Sequence, residues 1–198
     1  MTKNNLKSRL LKGETVYGPF CKLQDPSIVE IAALADFDFI ILDMEHGPLS
    51  VESVQNISRA AKAQYLDVVV RISENNPANI LRVLDVGVHS IQIPRVSTKE
   101  DAQEVINSSY FHPLGKRGMC RYVRAADYTN IIKQTYFSSA NSDTLTIVHI
   151  EGLVGIENLA EIVLIEGIDV IFLGPYDLSQ SCSVPGAVSY THLRAHET

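Results

Sequence analysis

Six apolar, strand-like runs alternate with helical patterns along this chain, and that alternation restricts it to a parallel βα architecture. The runs fall at residues 16–21, 37–42, 68–72, 90–94, 144–150 and 168–173. They suit strands buried on both faces, as in a parallel sheet. Between them, Asp25 with Pro26, Ser50, Asn76 with Pro77, and Thr98 stand where helix N-caps belong. Thr98 and Asp101 resemble a capping box with Asp in place of Glu. Gly87 and Gly167 fall where helices should stop. Residues 110–141 interrupt the rhythm and predict a long excursion with a short helix near 128–137, and a further helix is expected at 156–165.

Midpoint spacings of roughly twenty-five residues, with no Gly-x-Gly-x-x-Gly after the first run, favour a (β/α)8 barrel over a doubly wound sheet. Such a barrel takes about 250 residues. The 198 residues here supply only about six βα units. The expectation is one incomplete TIM-barrel domain over 1–186, truncated at its C-terminal end. A non-native or disordered tail over 187–198 would follow, since neither strand run nor helical period is found there.

Composition excludes several partners. Lys and Arg number 17 against 23 Asp and Glu, with no basic cluster, which argues against nucleic acid. The 45% apolar and 20% charged content is that of a soluble globular domain. Residues 1–12 mix lysines with polar side chains, and no run approaches about 18 apolar residues, so neither a signal peptide nor a membrane span is expected and the location expected is cytoplasmic. Cys21, Cys120 and Cys182 form no Cys-x-x-Cys pattern and read as small core or surface residues.

The chemistry collects where the runs end, at the C-terminal mouth of such a sheet. Glu151 and Asp177 close consecutive strands, and two hard oxygen ligands with room left for water suit Mg²⁺ or Mn²⁺. Solvated strand-end carboxylates fit the same spacing. His46, following Asp43 and Glu45, is a candidate general base or a structural histidine. Arg71, at the end of Val68-Val69-Val70, needs an anionic or oxyanionic partner, which Asp43 or Glu45 would also provide. No strand run contains a lysine, in keeping with metal rather than Schiff-base chemistry.

In this order, Asp43-Met44-Glu45-His46, Arg71, Lys116-Arg117-Gly118, His149-Ile150-Glu151 and Gly174-Pro175-Tyr176-Asp177-Leu178-Ser179 resemble the HpcH/HpaI aldolases, the metal-dependent class II pyruvate aldolases. The likeness covers residues 6–186. It implies a TIM barrel of the phosphoenolpyruvate/pyruvate type, and a lyase that reversibly cleaves a 4-hydroxy-2-oxo acid to pyruvate and an aldehyde through a metal-bound enolate. Position by position, it implies Glu151 and Asp177 as ligands of a divalent cation, Mg²⁺, Mn²⁺ or Co²⁺, and Arg71 as the stabiliser of the enolate oxygen. His46 is the base, Asp85 the aspartate that raises its basicity, and His149, Tyr176 and Asp177 line the substrate. Asp85 sits at a helix end before Gly87, which suggests the opposite rim and contact across a subunit interface, and the family implies a homo-oligomer. The implied partners are the small 2-oxo acid and aldehyde, with no nucleic acid and no membrane. His149 replaces a glutamine, which predicts an altered pocket or pH response, and Met44 a glycine-like and Tyr176 an alanine-like residue, which predicts a narrower cavity. A citrate-synthase-like or other carbon–carbon lyase of the same superfamily, or an inactive fragment, is the alternative.

Overall fold

A computed structural model describes residues 6–188. Six strands lie in one wholly parallel sheet in the order β1-β2-β3-β4-β5-β6: Phe20–Cys21, Phe39–Asp43, Asp67–Arg71, Ser90–Ile93, Leu145–Ile150 and Val170–Leu173. The helices between them are α2 (Ser27–Leu34), α3 (Val51–Ala63), α4 (Pro77–Asp85), α5 (Lys99–Ser109), α6 (Lys133–Asp143), α7 (Leu153–Glu157) and α8 (Leu159–Ile162), with α1 (Leu6–Leu11) before the sheet and α9 (Pro175–Ser181) after it. The sheet curls strongly. Five inter-strand spacings of about 4.8 Å would hold its edges about 24 Å apart if it were flat. Instead the rings of Phe20 on β1 and Phe172 on β6 meet edge to face with centroids 5.9 Å apart. The observed architecture is therefore six of the βα units of a TIM barrel.

Local signals account for most boundaries. The Ser50 hydroxyl accepts the Ser53 amide, Asn76 accepts from Ala78 and Asn79, and Thr98 and Asp101 complete the capping box in both directions. Gly87 and Gly167 take φ of +85° and +99°, a region open to glycine without a Cβ penalty. Asp25 accepts the Ser27 amide at 2.9 Å, just outside α2.

Three expectations change. The first run shortens to the two residues of β1. The helix expected at 156–165 divides into α7 and α8 at Asn158, whose side chain leaves the helical path to donate to the Ser97 carbonyl at 2.9 Å. In the excursion, a 3-10 segment (Arg124–Thr129) precedes α6, and Phe111, Ala126 and Tyr136 bury a small satellite core. Of the expected tail, residues 189–198 lie outside the described residues.

Side chains alternate across every strand, with two different destinations. Ile40, Leu42, Val70, Ile91, Ile93, Val148 and Ile150 face outward into the helices and form the main core. Ile41, Val69, Leu145 and Ile147 face inward and meet Leu6 of α1. This helix closes the end where the strands begin. The Leu6 amide donates to Asp67 at 2.7 Å, and Lys7 pairs with Asp169 at 3.0 Å while bonding the Thr144 carbonyl. The inward layer is thus sealed at one end and turns polar at the other.

Candidate active site at the C-terminal mouth

The polar layer follows from strand register. Asp43 pairs with Arg71, Arg71 with Gln92, and His149 with Phe172, so the last inward positions of β2 to β6 lie side by side. Arg71 donates to both oxygens of Asp43, Nε to Oδ1 at 2.9 Å and Nη2 to Oδ2 at 2.6 Å. Such a bidentate pair fixes the guanidinium plane. Its Nη1 lies 3.4 Å from Glu45 Oε2, and the Phe20 ring stands 4.9 Å beneath its carbon. Asp43 is wholly buried. Burial pushes its carboxyl up, but the hydrogen bonds from Arg71 and from the His46 amide, with the charge of Arg71, outweigh this and leave it below the ordinary value.

The same Asp43 shapes the turn that carries the candidate base. Its Oδ1 accepts the amides of Glu45 and His46, each at 3.1 Å. The His46 side chain is half exposed at the rim, with Nε2 at 3.8 Å from Glu45.

Glu151 is gripped on both oxygens. Oε1 accepts the Arg95 amide at 2.7 Å, and Oε2 lies 3.1 Å from His149 Nδ1. Burial pushes this carboxyl up, yet the contacts with His149, the Arg95 amide and the charge of Arg71 bring it below its ordinary value, so it is ionised at neutral pH. Arg95 reaches its clamp through φ of +57°, unusual for a residue with a Cβ. The next strand leaves room for the carboxylate. A Cβ on Gly174 would stand 2.8 Å from Glu151 Cβ and 2.9 Å from Oε2. Three residues on, Asp177 is exposed in the first turn of α9.

These residues fit a divalent cation. An ionised, doubly fixed carboxylate occupies the space that the missing Gly174 side chain leaves, and a second carboxylate follows within one helical turn. Among the described residues no three or more His, Cys, Asp or Glu side chains are gathered as a metal site. An ion here would therefore complete its shell with substrate and water oxygens, as Mg²⁺ does.

Of the seven residues given roles in the sequence, His46, Arg71, His149 and Glu151 lie on strands, strand ends or the turn after β2 at this mouth, and Tyr176 and Asp177 in the first turn of α9; Asp85 does not. α4 runs back against the strands, so Asp85 at its last turn lies at the opposite rim, held by Arg117 Nη2 at 2.7 Å. The expected narrowing by Met44 is also not what the chain does. Its side chain packs outward against the main core, as the residue after an inward Asp43 must. Tyr176 is largely exposed on α9. Gln92, Arg95 and the aromatic pair Phe20 and Phe172 belong to the site and were not expected. Only the inward parity of Gln92 beside Arg71 could have flagged the first.

A curled parallel sheet with paired charges at its strand ends defines a TIM-barrel-type protein with a candidate active site at this mouth, and the comparisons agree on fold and family. The HpcH/HpaI aldolase/citrate lyase family model matches residues 17–196, and the chain belongs to that family. It is 35% identical over 186 residues to 2-keto-3-deoxy-L-rhamnonate aldolase of Salmonella gallinarum, covering 93% of this chain and 69% of that one. Among solved structures, an HpcH/HpaI aldolase/citrate lyase family protein from Burkholderia cenocepacia J2315 superposes with TM-score 0.90 at 31% identity, covering 98% of this chain and 77% of its own. The citrate synthase SbnG superposes at 0.86 and 29%, covering 97% and 76%. The chain is thus akin to carbon–carbon lyases in both sequence and fold. Among the described residues no helix is long and apolar enough to cross a membrane.

Proposed function

We propose that this protein is a class II aldolase that reversibly cleaves a 4-hydroxy-2-oxo acid to pyruvate and an aldehyde, with a divalent cation held by Glu151 and Asp177. The observation that carries this reading is the Glu151 carboxylate, kept ionised, fixed through both oxygens and seated in the space that Gly174 leaves by lacking a Cβ. The ion would supply Lewis-acid stabilisation of negative charge on the bound 2-oxo acid. Mg²⁺ and Mn²⁺ both suit an all-oxygen shell.

The remaining work falls to the chain. Arg71, with Nε and Nη2 locked onto Asp43, still has N–H groups of Nη1 and the second Nη2 hydrogen to offer, and its charge is preorganised for an oxyanion developing in the mouth. His46 Nε2 takes the proton of the 4-hydroxyl during cleavage and returns it during addition. Its half-exposed position at the rim suits a group that must meet an aldehyde entering from solvent. Tyr176 and the start of α9 line the entrance on the β6 side. For Asp85 to act on His46 it must come from a second copy of the chain, which makes a homo-oligomer part of the proposal.

The test is pyruvate release from a 4-hydroxy-2-oxo acid with Mn²⁺ or Mg²⁺, with chelator, and with Arg71→Ala. Metal-dependent release lost in the variant is expected. No release from a folded, Mn²⁺-loaded protein refutes the reading. Similarity to SbnG favours one second reading, citrate formation from oxaloacetate and acetyl-CoA at the same mouth, and the same protein assayed with those substrates separates the two.

A further inference from the structure

We propose that His149 is a positioning residue that sets the Glu151 carboxylate for the cation, and that Gln92 and Phe172 hold it in that role. The proposal rests on the reading of Glu151 as a ligand. His149 is 1% exposed, and an imidazole so buried must find partners for both nitrogens within the chain. Nδ1 meets Glu151 Oε2 at 3.1 Å, and Nε2 meets the Gln92 amide nitrogen. An ionised carboxylate only accepts, so the proton sits on Nδ1. Nε2 then carries a lone pair, which the Gln92 amide satisfies by donating. The bonds run in one direction, from Gln92 to His149 to Glu151, and leave Gln92 Oε1 buried without a partner.

The ring is also held flat. Phe172 stacks on it with centroids 4.4 Å apart and planes 14° from parallel. Phe172 in turn touches Phe20, whose face carries Arg71. One aromatic pair therefore supports both the cationic and the carboxylate side of the mouth. With Oε1 fixed by the Arg95 amide, His149 supplies the second constraint that defines the carboxylate plane. Both ring nitrogens are committed, so His149 acts on the ligand and not on the substrate.

Mn²⁺ binding to the full chain, followed by titration calorimetry, tests this together with thermal unfolding. His149→Leu, of similar bulk and without a donor, is expected to weaken Mn²⁺ by about 10–100-fold, the usual loss when a hydrogen-bonding support behind a ligand is removed. His149→Gln restores an N–H and is expected to recover most of that affinity. In the unaltered protein, ¹⁵N shifts of His149 should report the Nδ1–H tautomer, a readout that does not depend on any variant folding. Undiminished Mn²⁺ binding by His149→Leu, equal weakness of the Leu and Gln variants, or an Nε2–H tautomer overturns the proposal. If the unaltered chain binds no Mn²⁺, the metal reading itself falls; if it binds and His149→Leu binds as well, only the positioning role does.

Discussion

Replacing Arg71 by methionine removes the guanidinium from the centre of the mouth while keeping a side chain of comparable reach. Asp43, wholly buried, loses two hydrogen bonds of 2.9 and 2.6 Å, and Glu45, whose side chain is 6% exposed, loses one of its two arginine contacts and keeps Arg95 at 3.2 Å. Lys22 stands 3.7 Å from Asp43 but is 52% exposed and compensates little. Removing one partner of a buried pair costs about 3–5 kcal/mol. With a urea slope of about 2 kcal/mol/M, a loss of about 4 kcal/mol lowers the unfolding midpoint by about 2 M. The penalty has a defined pH dependence. The folded carboxyl of Asp43 is held below its ordinary value of 3.8, so its contribution to stability is complete above that value and is lost as pH falls through the folded one. In the variant burial acts with far less opposition, the carboxyl protonates at higher pH, and the penalty shrinks on acidification. Combining Arg71→Met with Asp43→Asn removes the stranded charge and should recover most of the midpoint. A shift below about 0.5 M that is flat with pH, or a double variant no better than the single one, refutes the argument.

The unaltered protein should lose thermal stability as pH falls below about 4.5. Asp43 and Glu151 both have folded values held below ordinary ones of 3.8 and 4.5, and melting temperatures from pH 7 to 3 check it. Gly174→Ala places a Cβ 2.8 Å from that of Glu151, which must move, and should weaken Mn²⁺ by about tenfold or more in calorimetry and lower the melting temperature. Arg95→Gly preserves the amide and the positive φ and should bind Mn²⁺ normally, whereas Arg95→Pro removes the donor to Glu151 and forbids φ of +57°, and should not. Equal behaviour of those two variants would show that the backbone clamp is irrelevant. Among the described residues β1 and β6 pair on one side only and are flanked by exposed Ile31, Leu34, Leu164 and Leu173, so gel filtration at rising concentration should show self-association.

Signals confined to a few neighbouring residues were legible in the sequence. The caps at Ser50, Asn76 and Thr98 and the stops at Gly87 and Gly167 each involve contacts within four residues, and the chain realises them. The order of strands and the rim that carries Asp43, Arg71 and Glu151 were legible for a similar reason. Right-handed βα repetition leaves few topologies, and the first charged residue after an apolar run marks its C-terminal end. What could not be read depends on partners far apart in sequence. Arg117 and Asp85 meet across 32 positions, and Arg95 serves Glu151 across 56. The break at Asn158 depends on Ser97, 61 residues away.

Gln92 and Met44 lie between these cases, and they show which further inference the sequence permitted. Asp43 and Arg71 face inward because their strands pair in register, and parity then assigns every neighbour: Met44 outward into the core, Gln92 inward beside Arg71. A glutamine in the four-residue run Ser90–Ile93 carries no weight as composition. As a wholly buried inward residue level with Arg71, it must have a polar partner within the layer, and the imidazole two strand positions beyond Ile147 is the group within reach. Chemistry at the mouth is therefore encoded less by the charged residues that end each run than by the in-and-out parity that decides which of them face one another.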